Sequence, residues 1–222
     1  MPLQGTVPRR RHQRSVRQGS LGVLTRRESN SISDLIKRKL LNDKEKRVIC
    51  RTHGPQSLGA GTWYIDRMFD IAQGDGPTNR DGLQCKGLYA NVRMSLTSPT
   101  DRVSYVRIMI IRWKDTADSA PDDANMPADH LSCVSAVQRN KYAVLYDKVF
   151  ALNPRTTGTA EDSSVMFRKI HVKDKTLKKY VTAAAELAHS GQLFFCALQG
   201  SNYSGGTDDP EVHAETEFVF VD

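Results

Sequence analysis

The stretch CKGLYANVRMSL, residues 85–96, decides the fold class. Leu88, Ala90, Val92, Met94 and Leu96 fall on one side of an extended chain, and Tyr89, Asn91, Arg93 and Ser95 on the other. Strict alternation of this kind is the mark of a strand with one buried face. The next run, RVSYVRIMIIRW (102–113), is β-branched and nearly apolar on both sides, which suits a central strand. Four more strand-like runs follow: KYAVLYDKVFAL (141–152), VMFRKIHV (165–172), LFFCAL (193–198) and ETEFVFV (215–221). Between them lie the turn-rich, mostly acidic segments 115–130, 153–164 and 200–211. TAAAELAHS (182–190) has the composition of a helical turn.

Many strands, long loops and almost no helical periodicity predict an all-β sandwich or barrel, of which the eight-stranded jelly roll fits the length. The strand and helix alternation of a doubly wound fold is absent, and no repeat period suggests a propeller or solenoid. At 222 residues the chain is long enough to bury a core without staples. It contains no run of about 18 apolar residues, so no membrane-inserted helix is expected, and its N-terminus is arginine-rich where a secretory signal would be apolar.

Charge is distributed unevenly. Residues 1–50 hold thirteen Lys and Arg against four Asp and Glu, a net charge of +9, and the remainder carries −2. Residues 1–30 read as a disordered basic arm, with five arginines in RRRHQRSVR (9–17) and too little apolar surface to offset ordering entropy. SISDLIKRKLLNDKEKR (31–47) reads as a short amphipathic, basic helix, with Ser31 and Asp34 as a start signal and Ile32, Ile36 and Leu40 on one stripe. From about residue 47 the pattern turns to short strands. Gly54-Pro55, Gly59 and Gly61 mark a loop, and the body is expected to span 48–222.

A one-signed flexible arm neutralises phosphates without reading sequence. The candidate nucleic-acid-binding residues are Arg9, Arg10, Arg11, Arg14, Arg17, Arg26, Arg27, Lys37, Arg38 and Lys39. No aromatic residue precedes Trp63, so stacking on bases is no part of the arm's grip. RRRHQR is similar to a basic nuclear import signal, which would make host import factors a partner.

Catalytic and metal-binding patterns are not evident. The six histidines form neither H-x-x-x-H nor H-x-H, and His171 stands alone in a strand and His213 alone in a loop. A cupin-type metalloenzyme would need clustered ligands. QGDGPTNRDG (73–82) lacks G-K-[ST] and opens no helix, so it reads as a turn. Asp118, Asp122, Asp123 and Asp129 match no calcium-loop spacing and read as a solvated loop. Cys50, Cys85, Cys133 and Cys196 contain no C-x-x-C pair and are expected as reduced thiols. No catalytic residues, metal or cofactor are assigned, and the chain is not expected to be an enzyme.

Four segments carry a family resemblance. IAQGDGPTNRDG (71–82), VRIMIIRWKD (106–115), RNKYAVLYDKVFAL (139–152) and EFVFVD (217–222) resemble, in order, segments of small icosahedral virus coat proteins. The lineage is the one shared by satellite necrosis-type plant viruses and circular Rep-encoding single-stranded DNA viruses. The resemblance covers about residues 63–222, and the arm matches in composition alone. It implies a jelly-roll subunit that self-assembles into a small shell, in a virion or in host cytoplasm or nucleus during assembly. It does not separate an RNA from a DNA genome. Members of the satellite group bind calcium between subunits through carboxylates, and Asp222 stands near the matching place, with no partner ligands to name. Around sixty arms of +9 would bring on the order of 540 charges, balancing a single-stranded genome of the order of a kilobase together with counterions. A non-assembling viral nucleic-acid-binding or nuclear shuttle protein shares the arm and is the competing expectation.

Overall fold

A computed structural model describes residues 45–99, 103–114, 120–154, 165–180, 191–200 and 209–221. Nine strands order the described chain: β1 (Arg47–Ser57), β2 (Trp63–Arg67), β3 (Gln84–Thr97), β4 (Ser104–Trp113), β5 (Tyr142–Leu152), β6 (Val165–Lys173), β7 (Leu177–Lys179), β8 (Leu193–Gln199) and β9 (Glu211–Val221). One short α-helix among the described residues, α1 (Ala136–Lys141), stands before β5 and is opened by a capping box in which Ser135 and Gln138 bond reciprocally. It was not foreseen from the sequence. No helix among the described residues is long and apolar enough to cross a membrane.

The strands form two antiparallel sheets. Sheet one runs β1-β9-β3-β6, with β7 added on β3, and sheet two runs β2-β8-β4-β5. Leaving aside the three-residue β7, the first, last, third and sixth strands make one sheet and the second, eighth, fourth and fifth the other. This is the double Greek-key order of an eight-stranded jelly roll. The expected fold class is therefore observed.

The expected strands match β3, β4, β5, β6 and β8 to within two residues and β9 from Glu215 onward, β7 has no counterpart in the sequence reading, and three further readings change. Of the expected helix 31–47, Glu45 and Lys46 are exposed and not helical and Arg47 opens β1, while residues 1–44 lie outside the described residues. The Gly54-Pro55 pair, expected in a loop, lies inside β1, where the peptide is cis. There the pairing with β9 skips from His53↔Ala214 to Gln56↔Val212. Gly54 has a φ of 83°, and a Cβ would sit 2.4 Å from the Val212 carbonyl oxygen, so only glycine fits this irregularity. His213, expected in a loop, sits in β9. The stretch 182–190 falls outside the described residues.

The alternation of 85–96 is real, with one break. Ala90, Val92, Met94 and Leu96 are buried. The pairing with β9 shifts between Gly87 and Tyr89, which leaves Leu88 as the extra, half-buried residue of a bulge. Cys85 and Gly87, before the bulge, therefore share the buried side with Ala90 after it.

The main core lies between the sheets. It joins Ala90, Val92 and Met94 of β3 with Val106, Ile108 and Ile110 of β4, Phe195 of β8, and Phe218 and Phe220 of β9. A second cluster covers the far side of sheet two: Trp63, Met109, Ile111, Trp113, Tyr142, Phe194, Cys196 and Leu198, with Met126 and Val134. Met126 and Val134 belong to the segment between β4 and β5, which lies across that sheet as a strap. This is why β4 is apolar on both faces: Ile108 and Ile110 point to the main core, and Met109 and Ile111 to the strap.

Candidate nucleic-acid interface

The polar residues of the resembling segments hold the body together. Arg107 of β4 is buried beneath the strap and meets Asp147 of β5 in a two-pronged pair, Nε to Oδ1 at 2.8 Å and Nη2 to Oδ2 at 2.7 Å. Its remaining nitrogen donates to the carbonyl oxygens of Asp129 (3.2 Å) and Ser132 (2.6 Å), which fixes the strap. Arg80 is fully buried in the turn between β2 and β3, its guanidinium 3.8 Å from the centre of the Tyr180 ring. It donates to the carbonyl oxygens of Ile71 (3.3 Å) and Gly82. The acidic strap residues Asp122, Asp123 and Asp129 are engaged within the subunit. Asp122 accepts from the Asn125 N–H at 3.0 Å, and Asp123 accepts from the Trp63 N–H at 2.9 Å. The Asp129 carboxylate contacts the His130 ring at 2.7 Å. Asp118 lies outside the described residues.

One constellation has the hydrogen-bond order of a nucleophilic triad. Thr216 Oγ1 is 2.8 Å from His53 Nε2, and His53 Nδ1 is 2.9 Å from Asp66 Oδ2. Both Thr216 and His53 are sealed in the interior, and the His53 ring stacks on Phe195, 5.5 Å between centres. No substrate reaches this hydroxyl, so the set is a seam joining β1, β2 and β9. Burial pushes the Asp66 carboxyl up, but the His53 hydrogen bond, the Arg51 guanidinium, the His53 charge and the Arg67 N–H together bring it below the ordinary carboxylate value. Burial and the neighbouring Asp66 push the Tyr64 hydroxyl up to about 12. Among the described residues, no group of three His, Cys, Asp or Glu is placed to hold a metal ion. The four cysteines are free; Cys85 and Cys196 are buried, Cys50 and Cys133 exposed.

The outer side of sheet one differs, and its β6 edge is the candidate interface. Residues 165–180, VMFRKIHVKDKTLKKY, hold six Lys and Arg and a single acid, Asp174. That acid is buried and paired with buried Lys178, which also donates to Thr176 Oγ1 at 2.8 Å and to the Gly191 carbonyl oxygen. Burial pulls the Lys178 ammonium down and the Asp174 charge pulls it back up, with burial prevailing. The other five cations, Arg168, Lys169, Lys173, Lys175 and Lys179, are exposed. Strand periodicity places Phe167, Lys169, His171 and Lys173 on the outer face, while Ile170 and Val172 point to the core.

Neighbouring strands complete the face. In register, Arg93 of β3 lies between Lys169 of β6 and Glu215 of β9, and Asn91 lies between His171 and Glu217. His171 Nδ1 is 2.8 Å from Asn91 Oδ1, and Asn91 donates to Glu217 Oε1 at 3.0 Å. The Tyr89 ring tilts against His171 at 5.3 Å.

The ten sequence-predicted binding residues, Arg9 through Lys39, all lie outside the described residues. The β6–β7 cations do not show in the net charge of 51–222, where the acidic loops cancel them. A window of the length of one strand finds them.

No family model matches the chain, and no curated protein matches it. Among solved structures, a structure of infectious bursal disease virus, Gx strain, matches at 12% identity with a TM-score of 0.29. The match covers 80% of this chain and 32% of that one, so the chain spans about a third of that neighbour's length.

Proposed function

We propose that this chain is a virus coat subunit, and not an enzyme, whose copies close into a small icosahedral shell around a single-stranded genome. The observation that carries this reading is the division of the chain. An eight-stranded jelly roll occupies residues 47–221, and a stretch with net charge of +9 over its first fifty residues precedes or enters it. The internal roles of Arg80, Arg107 and Asp147 support reading the resembling segments as determinants of the subunit's shape. In this reading the arginines of the arm hold genome phosphates, the import-like RRRHQR meets host import factors, and the product resides in the virion after assembly in host cytoplasm or nucleus.

Electron microscopy and sedimentation of the full-length protein mixed with single-stranded nucleic acid test it. A discrete closed particle of roughly sixty copies is expected. Monomers or dimers at every salt concentration would favour the non-assembling nucleic-acid-binding shuttle instead. Deleting residues 1–30 is expected to leave the body folded and to abolish nuclease-protected nucleic acid; undiminished protection refutes the arm's role.

A further inference from the structure

Phe167 is 73% exposed on the edge strand of a sheet whose outer face carries no covering segment among the described residues. A large apolar ring there is a liability for a protein edge unless something uses it. Its neighbours are specific. Lys169, His171 and Lys173 follow it on the same face, so a ring, a cation, a ring and a cation stand about 6.6 Å apart along the strand. An open hollow of about 540 Å³ lies beside Phe167, bordered by Arg93, Ser95, Lys169, His213 and Glu215. The carboxylates Glu211, Glu215 and Glu217 of β9 stand two strands from β6, Glu215 closing the far border of the hollow opposite Arg93, so a polyanion is confined to the β6 side.

We infer that this row is a platform for single-stranded nucleic acid, with Phe167 stacked on one base and Lys169, Lys173 and Arg93 against adjacent phosphates. The inference rests on the reading that the chain's cargo is nucleic acid, and adds that the jelly-roll body itself grips it. The strand form follows from the chemistry. A duplex turns its base faces inward on one another, whereas an unstacked base offers a π-face to an aromatic ring whatever its identity. The arm offers charge and no aromatic ring, so the two grips differ in kind. A second copy of this chain is a poorer occupant, because edge-to-edge pairing would set these cations against their own images.

The test uses full-length protein, labelled oligo-dT and a hairpin duplex of equal charge, titrated across a salt series. Raising salt weakens the arm's ionic contribution and leaves stacking in place. Phe167→Ala is expected to lower oligo-dT affinity by about five- to a hundredfold at the high-salt end and to leave duplex affinity unchanged. Phe167→Trp is expected to keep the wild-type preference. Lys169→Ala with Lys173→Ala is expected to flatten the salt dependence by about one unit of slope per lysine. Ultraviolet crosslinking is expected to place oligo-dT on the peptide containing Phe167. Equal oligo-dT affinity for wild type and Phe167→Ala overturns the inference, as does an equal loss on both probes. A change in particle formation with oligo-dT affinity intact overturns it too, and makes Phe167 a subunit contact. If wild-type protein forms no particles but Phe167→Ala still loses oligo-dT, the coat reading fails while the platform stands.

Discussion

The two sheets are built from the same materials and differ in what lies over them. The outer side of sheet two is covered over β4 and β8, because the segment between β4 and β5 straps Met126 and Val134 onto Met109, Ile111 and Trp113, while its edge strand β5 keeps Val144, Asp147, Lys148 and Ala151 exposed. Sheet one presents Asn91, Arg93, Lys169, His171 and Lys173 on a side that no described segment covers. The contrast explains two sequence patterns at once. A strand with one covered face alternates, and a strand with two covered faces reads as a continuous apolar run. Both sheets share the main core between them, and they differ in that the described segments cover the outer side of β4 and β8 and leave the outer side of sheet one to polar and charged groups.

Paired substitutions sharpen this contrast. Trp113 and Phe167 are both aromatic and both lie on the outer sides of their sheets. Trp113→Ala is expected to cost about 3–5 kcal/mol in denaturant unfolding, because it empties a fully buried site beneath the strap. Asp147→Ala removes the carboxylate that faces buried Arg107 and leaves that guanidinium with the Asp129 and Ser132 carbonyls alone. A loss of about 3 kcal/mol is expected, at the low end for a broken buried pair because Asp147 is partly exposed.

The Asp66 seam gives a pH-dependent effect. Its carboxyl ionises below the unfolded value of about 3.9, so its contribution is complete above that pH and is lost as pH falls through the lower folded value. Urea midpoints measured between neutral and acid pH are expected to fall less steeply for Asp66→Asn than for wild type. The smallest effect belongs to the bare face: Phe167→Ala is expected to shift stability by no more than about 0.5 kcal/mol. A large loss there would mean that the face is covered after all, and the contrast between the sheets would collapse.

The sequence makes some of this legible and hides the rest for identifiable reasons. Strands β3 to β6 and β8 are readable because each presents several core residues at a strict period or in an unbroken run. β9 is legible only from Glu215, because Glu211 and His213 alternate with just Val212 and Ala214. β1 is hidden by Gly54-Pro55, which signals a turn in isolation and is tolerated here because the strand lies at a sheet edge. The short β2, five residues long, has too few positions to show a period. Buried Arg80 and buried Lys178 are invisible to burial arguments from composition, because what admits them is arrangement: for Arg80 the distant Tyr180 ring and the carbonyls of its own turn, for Lys178 the Asp174 carboxylate one short turn before it and the Gly191 carbonyl. The basic face shows the effect of averaging: one strand's charge disappears when added to three acidic loops.

The outermost position of β6 has one more consequence. Among the described residues no strand pairs with its outer edge, so the N–H and C=O groups there form a rim on which another extended chain can build. Crowding that rim with Arg168, Lys169 and Lys173 makes ribbon-like growth between identical molecules electrostatically uphill. Added salt screens that repulsion, so the rim is best guarded against laminating into fibres at low ionic strength.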